Sequence, residues 1–336
     1  MITASPSTRL SPPAADWREL WRNAITDPAE LLQAVGLGDR ADLLPPDDAG
    51  FALRVPRGFV ARMRRGDPAD PLLLQVLPQR AEHDQVAGYT IDAVGDMAAK
   101  AGHGMLHKYD GRALLIASGS CAVNCRYCFR RHFPYGEEIA AASHWREALA
   151  QLRADPSIRE VILSGGDPLA LATHKLEELT RGLAELPQVI RLRIHSRLPV
   201  VLPERIDDAF VAWLEALPLQ KVVVLHANHA NELDASVDAA CARLRGAGAT
   251  VLNQSVLLRG INDDAAILAD LSERLFAAGV LPYYLHQLDR VQGTAHFEVS
   301  DSTALELQEA LRARLPGYLV PRLVREVAGD TAKRPL

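Results

Sequence analysis

From residue 113 onward the chain alternates short apolar runs with longer amphipathic stretches. The runs at 113–117, 160–163, 189–195, 221–226, 250–255 and 281–286 have the length and composition of buried strands. Between them, 144–153, 176–186, 207–217, 237–246 and 265–278 place apolar residues at helical spacing. After the first interval the strands start about 30 residues apart, the repeat of a βα unit. Five helices between six strands predict parallel strands with right-handed crossovers, in a doubly wound sheet or a complete or partial barrel. In either architecture functional groups collect where strands end. The polar residues follow that rule. Cysteines come after Ala117, and Ser164-Gly165-Gly166-Asp167 follows Leu163. His195-Ser196-Arg197, residues 226–231, Asn253-Gln254-Ser255 and residues 287–289 stand at the later strand ends.

The first hundred residues read differently. Residues 17–35 have helical spacing through Trp17, Leu20, Trp21 and Ile25. Asp27-Pro28 can start a second helix with the proline in its first turn, and Leu37-Gly38 looks like its stop. Leu43-Leu44-Pro45-Pro46-Asp47-Asp48 reads as a connector and 59–66 as a short basic helical piece. Asp67-Pro68 and Asp70-Pro71 read as breaks. The expected organisation is a mostly helical, loop-rich extension over 1–105 and an α/β unit over 106–300. A C-terminal segment, 301–336, begins with a helix.

Composition narrows the function classes. With 48% hydrophobic and 24% charged residues in 336, the chain has material for a large core. A net charge of −5 argues against general nucleic-acid binding. No apolar run approaches a membrane span, and residues 1–15, rich in Ser, Pro and Ala, lack a signal-peptide core. The expected location is cytoplasmic, with neither nucleic acid nor membrane as partner.

Four cysteines are too few for a disulfide framework. Three of them, Cys121, Cys125 and Cys128, share one eight-residue window with the spacing Cys-x3-Cys-x2-Cys. Three thiols cannot all pair, but in one loop they can converge on a metal centre. They can be unligated core residues, a zinc site completed by His132, or ligands of an iron–sulfur cluster that leave one iron open. Cys241 lies at helical spacing among Ala and Leu and reads as core. His226 and His229 have a spacing that a second metal could use, although their surroundings read as a cavity lining.

Cys-x3-Cys-x2-Cys with Tyr127 before the last cysteine resembles the radical S-adenosylmethionine (SAM) superfamily. That resemblance implies a [4Fe–4S] cluster on Cys121, Cys125 and Cys128, with SAM on the open iron and Tyr127 near the adenine. The segments Cys125-Arg126-Tyr127-Cys128-Phe129-Arg130-Arg131, Leu163-Ser164-Gly165-Gly166-Asp167-Pro168-Leu169, Ser196-Arg197-Leu198-Pro199 and Asn253-Gln254-Ser255-Val256-Leu257-Leu258-Arg259-Gly260 resemble, in order, the lysine 2,3-aminomutase family. This implies a partial (β/α)6-type barrel carrying the cluster and pyridoxal 5′-phosphate (PLP), and a 1,2-shift of an amino group.

Site roles follow from the same resemblance. Lys333, in Ala328-Gly329-Asp330-Thr331-Ala332-Lys333-Arg334, matches the lysine that holds PLP and acts in catalysis. Lys108 and Arg112 match the basic pair at the PLP phosphate. Gly165, Gly166, Asp167, Ser196, Arg197 and Gln254 match SAM contacts. Arg130 matches the residue gripping the substrate α-carboxylate. Asp289 and Glu326 match the acids that receive the ε-ammonium, with glutamate standing where the family has its second aspartate.

The segments Phe51-Ala52-Leu53-Arg54-Val55-Pro56-Arg57, His132-Phe133-Pro134-Tyr135 and Leu281-Pro282-Tyr283-Tyr284 resemble a bacterial branch that supplies (R)-β-lysine for elongation factor P. The implied substrate is L-lysine. The implied functional links are to elongation factor P, its lysine ligase and an external electron donor. Two other readings are an aminomutase of another amino acid such as glutamate, and a non-catalytic iron–sulfur interaction module.

Overall fold

Asp16 and Asp27 start the first two helices of the computed structural model, α1 (Trp17–Arg22) and α2 (Pro28–Ala34). Each aspartate accepts a backbone N–H two residues ahead at 3.0 Å, and Pro28 sits in the first turn, where no donor is needed. The structure describes residues 16–44, 50–137, 139–140 and 145–336. Residues 1–15, the prolines of the expected connector and the first residue of the helix expected from His144 lie outside the described residues.

The chain reverses after α2 at Gly36, with φ +77°, ahead of the expected Leu37-Gly38 stop. The basic piece expected at 59–66 is instead a single turn, α3 (Arg57–Val60). Asp70-Pro71, read as a break, begins α4 (Pro71–Leu74). Buried Asp70 accepts from Leu72 N and Leu73 N, both at 2.9 Å. A proline interrupts the helix before it but fits the first turn of the helix after it.

The strands form one ten-stranded sheet whose spatial order follows the sequence. β1 (Lys100–Gly102) and β2 (Met105–Tyr109) form an antiparallel edge that crosses the boundary expected at residue 105. β3 (Arg112–Ser118), β4 (Glu160–Gly165), β5 (Arg191–Ser196), β6 (Gln220–Leu225), β7 (Ala249–Val256), β8 (Leu281–His286) and β9 (Arg322–Arg325) run parallel. β10 (Arg334–Pro335) returns antiparallel along β9. The crossovers carry α5 (Trp145–Ala154), α6 (Thr173–Ala184), α7 (Leu198–Val201) with α8 (Asp208–Ala216), α9 (Ala235–Gly246), α10 (Ala265–Ala277) and α11 (Asp301–Arg314). All six expected strands and the five helices between them are present, with ends shifted by a few residues.

Along β5, Leu192, Ile194 and Ser196 are buried while Arg191, Arg193 and His195 alternate with them, half-buried, on the other face. The apolar face meets the helices; the polar face lines the inside of the sheet. The core is shared with the N-terminal segment, because one apolar cluster runs from Trp17, Leu31 and Phe59 to Leu163, Phe210 and Val280. The sheet also curls strongly. β2 and β9 are seven places apart in strand order, so a flat sheet would separate them by over ~30 Å. Instead Tyr109 Oη donates to Glu326 at 2.6 Å, and Lys108 Nζ stands 3.5 Å from the same carboxylate. The two edges meet across the concave face. Among the described residues no helix is long and apolar enough to cross a membrane.

Candidate active site

The loop after β3 carries Cys121, Cys125 and Cys128, and the N-terminal segment clasps it. Asn124 N donates to Arg54 O at 3.0 Å, Asn124 Nδ2 to Ala52 O at 2.9 Å, and Arg126 N to Gln75 O at 2.9 Å. Buried Arg126 and Arg131 both pair with Glu82, the latter at 2.7 Å. On the other side the turn after β4 closes on the loop. Gly166 N donates to Ser118 O at 2.7 Å and Asp167 N to Ser120 O at 2.8 Å. A Cβ on Gly166 would lie 2.7 Å from Ser120 O, so only glycine permits that approach.

The three thiols act on one another. Burial and then the charge of Cys128 push the Cys121 thiol well up, and burial followed by Cys125 pushes Cys128 to about 11. Thiols crowded in this way favour a bound cation, which would stabilise their thiolate forms. Among the described residues, no three His, Cys, Asp or Glu side chains are grouped for a single metal ion. Three thiolates from one loop are the donor chemistry that an iron–sulfur cluster takes, with one iron left for another ligand. His132 does not join the thiols; its Nε2 lies 3.2 Å from Gln292 O.

At the end of β5, Arg197 Nη1 donates to Cys125 Sγ at 2.7 Å and also reaches Tyr127 Oη. Its Nη2 donates to Gln75 at 2.8 Å and to fully buried Glu232 at 3.0 Å. Asn228 Nδ2 donates to Tyr127 Oη at 2.7 Å. Arg197 is therefore brought to the cysteine loop, and it and Tyr127 are held there by residues from two other segments, Gln75 and the stretch 228–232. Asp167 and Ser196, both expected at SAM, hydrogen-bond to each other at 2.8 Å. Asp167 also accepts from Leu169 N, Arg197 N and Leu198 N at 2.9, 2.8 and 3.1 Å. Burial lifts its carboxyl to about 6 despite those donors. Asp167 thus ties the β4 and β5 ends together.

Also brought together on the concave face are His195, His226, Gln254, Tyr284, His286 and Lys333. The His195 and His226 rings lie 5.7 Å apart, Tyr284 and His286 5.5 Å apart, and Lys333 Nζ sits 5.8 Å from the Tyr284 ring centre. Gln254 Nε2 is 3.1 Å from His226 Nε2. Burial first, then the charge of Arg197, takes the His226 imidazole down to about 3, so it is neutral. His229 turns away and caps a turn by accepting from Asn231 N at 3.1 Å. Gln254 Oε1, His286 Nε2 and Arg112 Nε are buried without a hydrogen-bond partner among the described residues. Such orphaned atoms call for a polar ligand, and a phosphate-bearing pyridine with a lysine beside it fits that lining.

The ion pairs at the mouth connect the C-terminal segment to the cysteine loop. Lys333 Nζ bonds Glu326 at 2.6 Å, and Lys108 Nζ bridges Glu326 at 3.5 Å to Asp96 at 2.7 Å. Asp96 also accepts from Arg130 Nε at 2.7 Å, and Arg130 Nη1 donates to Ser164 Oγ at 2.9 Å. Burial alone would raise the Asp96 carboxyl, but Arg130 and Lys108 hold it at about 2. Asp289 behaves oppositely: burial lifts it to about 7, and Lys333 is the foremost charge opposing that rise. Lys108, Arg130, Asp289, Glu326 and Lys333 are therefore brought together. Arg112 stacks on Tyr109, 4.7 Å from its ring, at the margin of the group. Glu326 is already engaged by Lys333, a pairing that the expected ammonium-binding role did not anticipate.

Asp96, Tyr109, Gln75, Glu82, Glu232 and Asn228 were not singled out in the sequence. Gln75, Glu82 and Asp96 act across 34 or more residues of chain, as Asp96 does on Arg130. No local spacing marks them. Asn228 and Glu232 flank His229, and their roles depend on contacts with Tyr127 and Arg197 that lie far away in the sequence.

The site joins a three-cysteine loop to the open end of a parallel sheet, and residues 115–271 match the family described as the Radical SAM superfamily. Within that class the chain belongs to the L-lysine 2,3-aminomutase family. It is 48% identical to the L-lysine 2,3-aminomutase of Escherichia coli (strain K12) over 98% of this chain and 96% of that one. The Haemophilus influenzae L-lysine 2,3-aminomutase is 47% identical over 95% and 94%. That of Clostridium subterminale is 33% identical over 96% of this chain and 77% of its own. A radical SAM methyltransferase from Sphaerobacter thermophilus superposes on 66% of the chain with a TM-score of 0.46 and 18% identity.

Proposed function

We propose that the protein is a radical SAM, PLP-dependent lysine 2,3-aminomutase that converts L-α-lysine to (R)-β-lysine on a partial (β/α)6 barrel. The observation that carries this reading is the chain of contacts Lys333–Glu326–Lys108–Asp96–Arg130, which links an amine, carboxylates and a guanidinium on one face beside the cysteine loop. Cys121, Cys125 and Cys128 would hold the cluster. Gly165 and Gly166 let the turn after β4 close on the cysteine loop beside SAM, Tyr127, Arg197 and Gln254 would stand around SAM, and Asp167 with Ser196 fixes the strand ends beneath. Lys333 would hold PLP, with Lys108 and Arg112 at its phosphate. When bound, the cluster and SAM would supply a carbon radical, and PLP would supply the unsaturation at nitrogen that lets the amino group migrate by radical addition and release.

This chain's own residues set the substrate's placement. Arg130 presents a fixed guanidinium to the α-carboxylate. Asp289 and Glu326 stand ready for the ε-ammonium, Glu326 after release from Lys333, and both would repel an acidic side chain. Neutral His226 holds Gln254 without adding charge. The product would serve elongation factor P and its lysine ligase in the cytoplasm, as the likeness to that bacterial branch implies. An external one-electron donor is required. The test is chiral chromatography after anaerobic incubation of L-lysine with SAM, PLP and a reductant. The expected result is (R)-β-lysine, with no product from L-glutamate; β-glutamate in comparable yield would overturn the substrate assignment.

A further inference from the structure

Asp96 is given no contact with substrate or cofactor above, yet it is among the most buried charges in the molecule, at 1% exposure. It comes from the segment before β1, far from the strand ends that carry the other groups. Its turn is built for the task. Asp92 accepts from Asp96 N at 2.8 Å and from Met97 N at 3.0 Å, which fixes the turn. Gly95, at φ +66°, lies so near the C-terminal segment that a Cβ there would sit 2.9 Å from the Ala328 side chain. One carboxylate oxygen of Asp96 forms an ion pair with Lys108 Nζ, and the other accepts a hydrogen bond from Arg130 Nε, both at 2.7 Å. Lys108 Nζ donates in addition to Val94 O at 2.8 Å.

These contacts settle the orientation of Arg130. With Nε held by Asp96 and Nη1 by Ser164, the guanidinium plane cannot rotate, and Nη2 makes no hydrogen bond among the described residues. A planar fork held on one side presents its remaining donors in one direction only. We propose that Asp96 is a positioning residue that aims Arg130 at the substrate α-carboxylate and Lys108 at the PLP phosphate, so that one buried carboxylate sets the register between substrate and cofactor. This rests on the roles given to Arg130 and Lys108 under the proposed function. Asp96 touches neither ligand and acts through both cations. Without it, the fork would swing, and small misplacements of a gripped group are costly.

The test is equilibrium binding without turnover, on protein loaded with cluster and PLP but not SAM. Dissociation constants are measured for L-lysine and for L-lysinamide, which lacks the carboxylate charge. Wild type should prefer lysine. Asp96→Asn should shrink that preference by about tenfold and weaken PLP binding several-fold, while adding nothing to the lost discrimination in an Arg130→Ala background. A purely structural role would lower the yield of folded protein and leave the lysine-to-lysinamide ratio in the folded fraction unchanged; that result overturns the proposal. Asp96→Glu, which keeps the charge but displaces the carboxylate, should show the same collapse in weaker form. Wild-type discrimination in that variant also overturns it, even if the Asn variant does not fold. Wild-type protein that binds neither ligand would instead defeat the lysine aminomutase reading itself.

Discussion

Asp289 is the side chain whose ionisation most directly governs the pocket. Burial raises its carboxyl to about 7, and an ammonium ligand requires it ionised. Lysine binding should therefore weaken as pH falls from 8 to 6, approaching tenfold per unit below about 7. Asp289→Asn should bind lysine poorly and show a flattened profile. The stability effect has the opposite sign. A carboxyl whose folded value is raised contributes stability below its unfolded value near 4, and that contribution is lost as pH rises through about 7. In cofactor-free, lysine-free protein at pH 8, Asp289→Asn should melt about 2–4 °C above wild type. Paired melting and lysine-binding measurements at pH 6 and 8 check both halves. An Asn variant that binds lysine as wild type does would remove Asp289 from substrate recognition. The sequence singled out this aspartate, Lys333 and Arg130 because each stands in a recognisable motif. It could not show that Glu326 would be paired with Lys333, since that contact depends on β9 and the chain beyond it folding onto β2.

At the scale of elements, the turn after β4 and the cysteine loop form one unit joined by backbone contacts. Gly166→Ala would drive a Cβ to 2.7 Å from Ser120 O and 2.9 Å from Gly119 C. The backbone cannot yield there without moving the loop, so about 1–3 kcal/mol of stability should be lost, with iron retention after reconstitution falling by more than half. Asp264→Ala is the control. It removes the cap of α10, which accepts from Ala266 N at 2.7 Å, and costs about 1 kcal/mol with iron content unchanged. Iron analysis and urea melts on both variants distinguish loop displacement from general weakening. The six inner strands were legible because each is an apolar run that parallel neighbours and helices bury. β1, β2, β9 and β10 were not. They are short, rich in Lys, Arg and Gly, and paired at edges where no alternation is imposed. The turn of α4 escaped, and the piece at α3 was expected too long and too late, for a related reason: single turns are too short to show a helical period.

Over the whole molecule, the N-terminal segment shares its apolar cluster with the sheet's helices and clasps the cysteine loop through Glu82. It should therefore not melt separately. Trp17 and Trp21 report on that segment, and Trp145 and Trp213 on the α/β part. Fluorescence and circular dichroism should give one coincident transition; a separate early loss of the Trp17/Trp21 signal would show an independent unit. Glu82→Gln, which leaves two buried guanidinium groups without a full counter-charge, should lower that single transition by roughly 3–5 kcal/mol. The meeting of the two ends of the sheet at Glu326 also has a consequence in time. On the ribosome, Cys128 emerges 333 − 128 = 205 residues before Lys333, which at ordinary synthesis speeds is roughly 10–40 s. Throughout that interval the nascent thiols lack the later strands and stand open to solvent and to oxygen. Glu326, which meets Tyr109 and Lys108 across the concave face, is likewise synthesised well after the cysteines, so the cysteine loop is made long before the contact that draws the two ends of the sheet together.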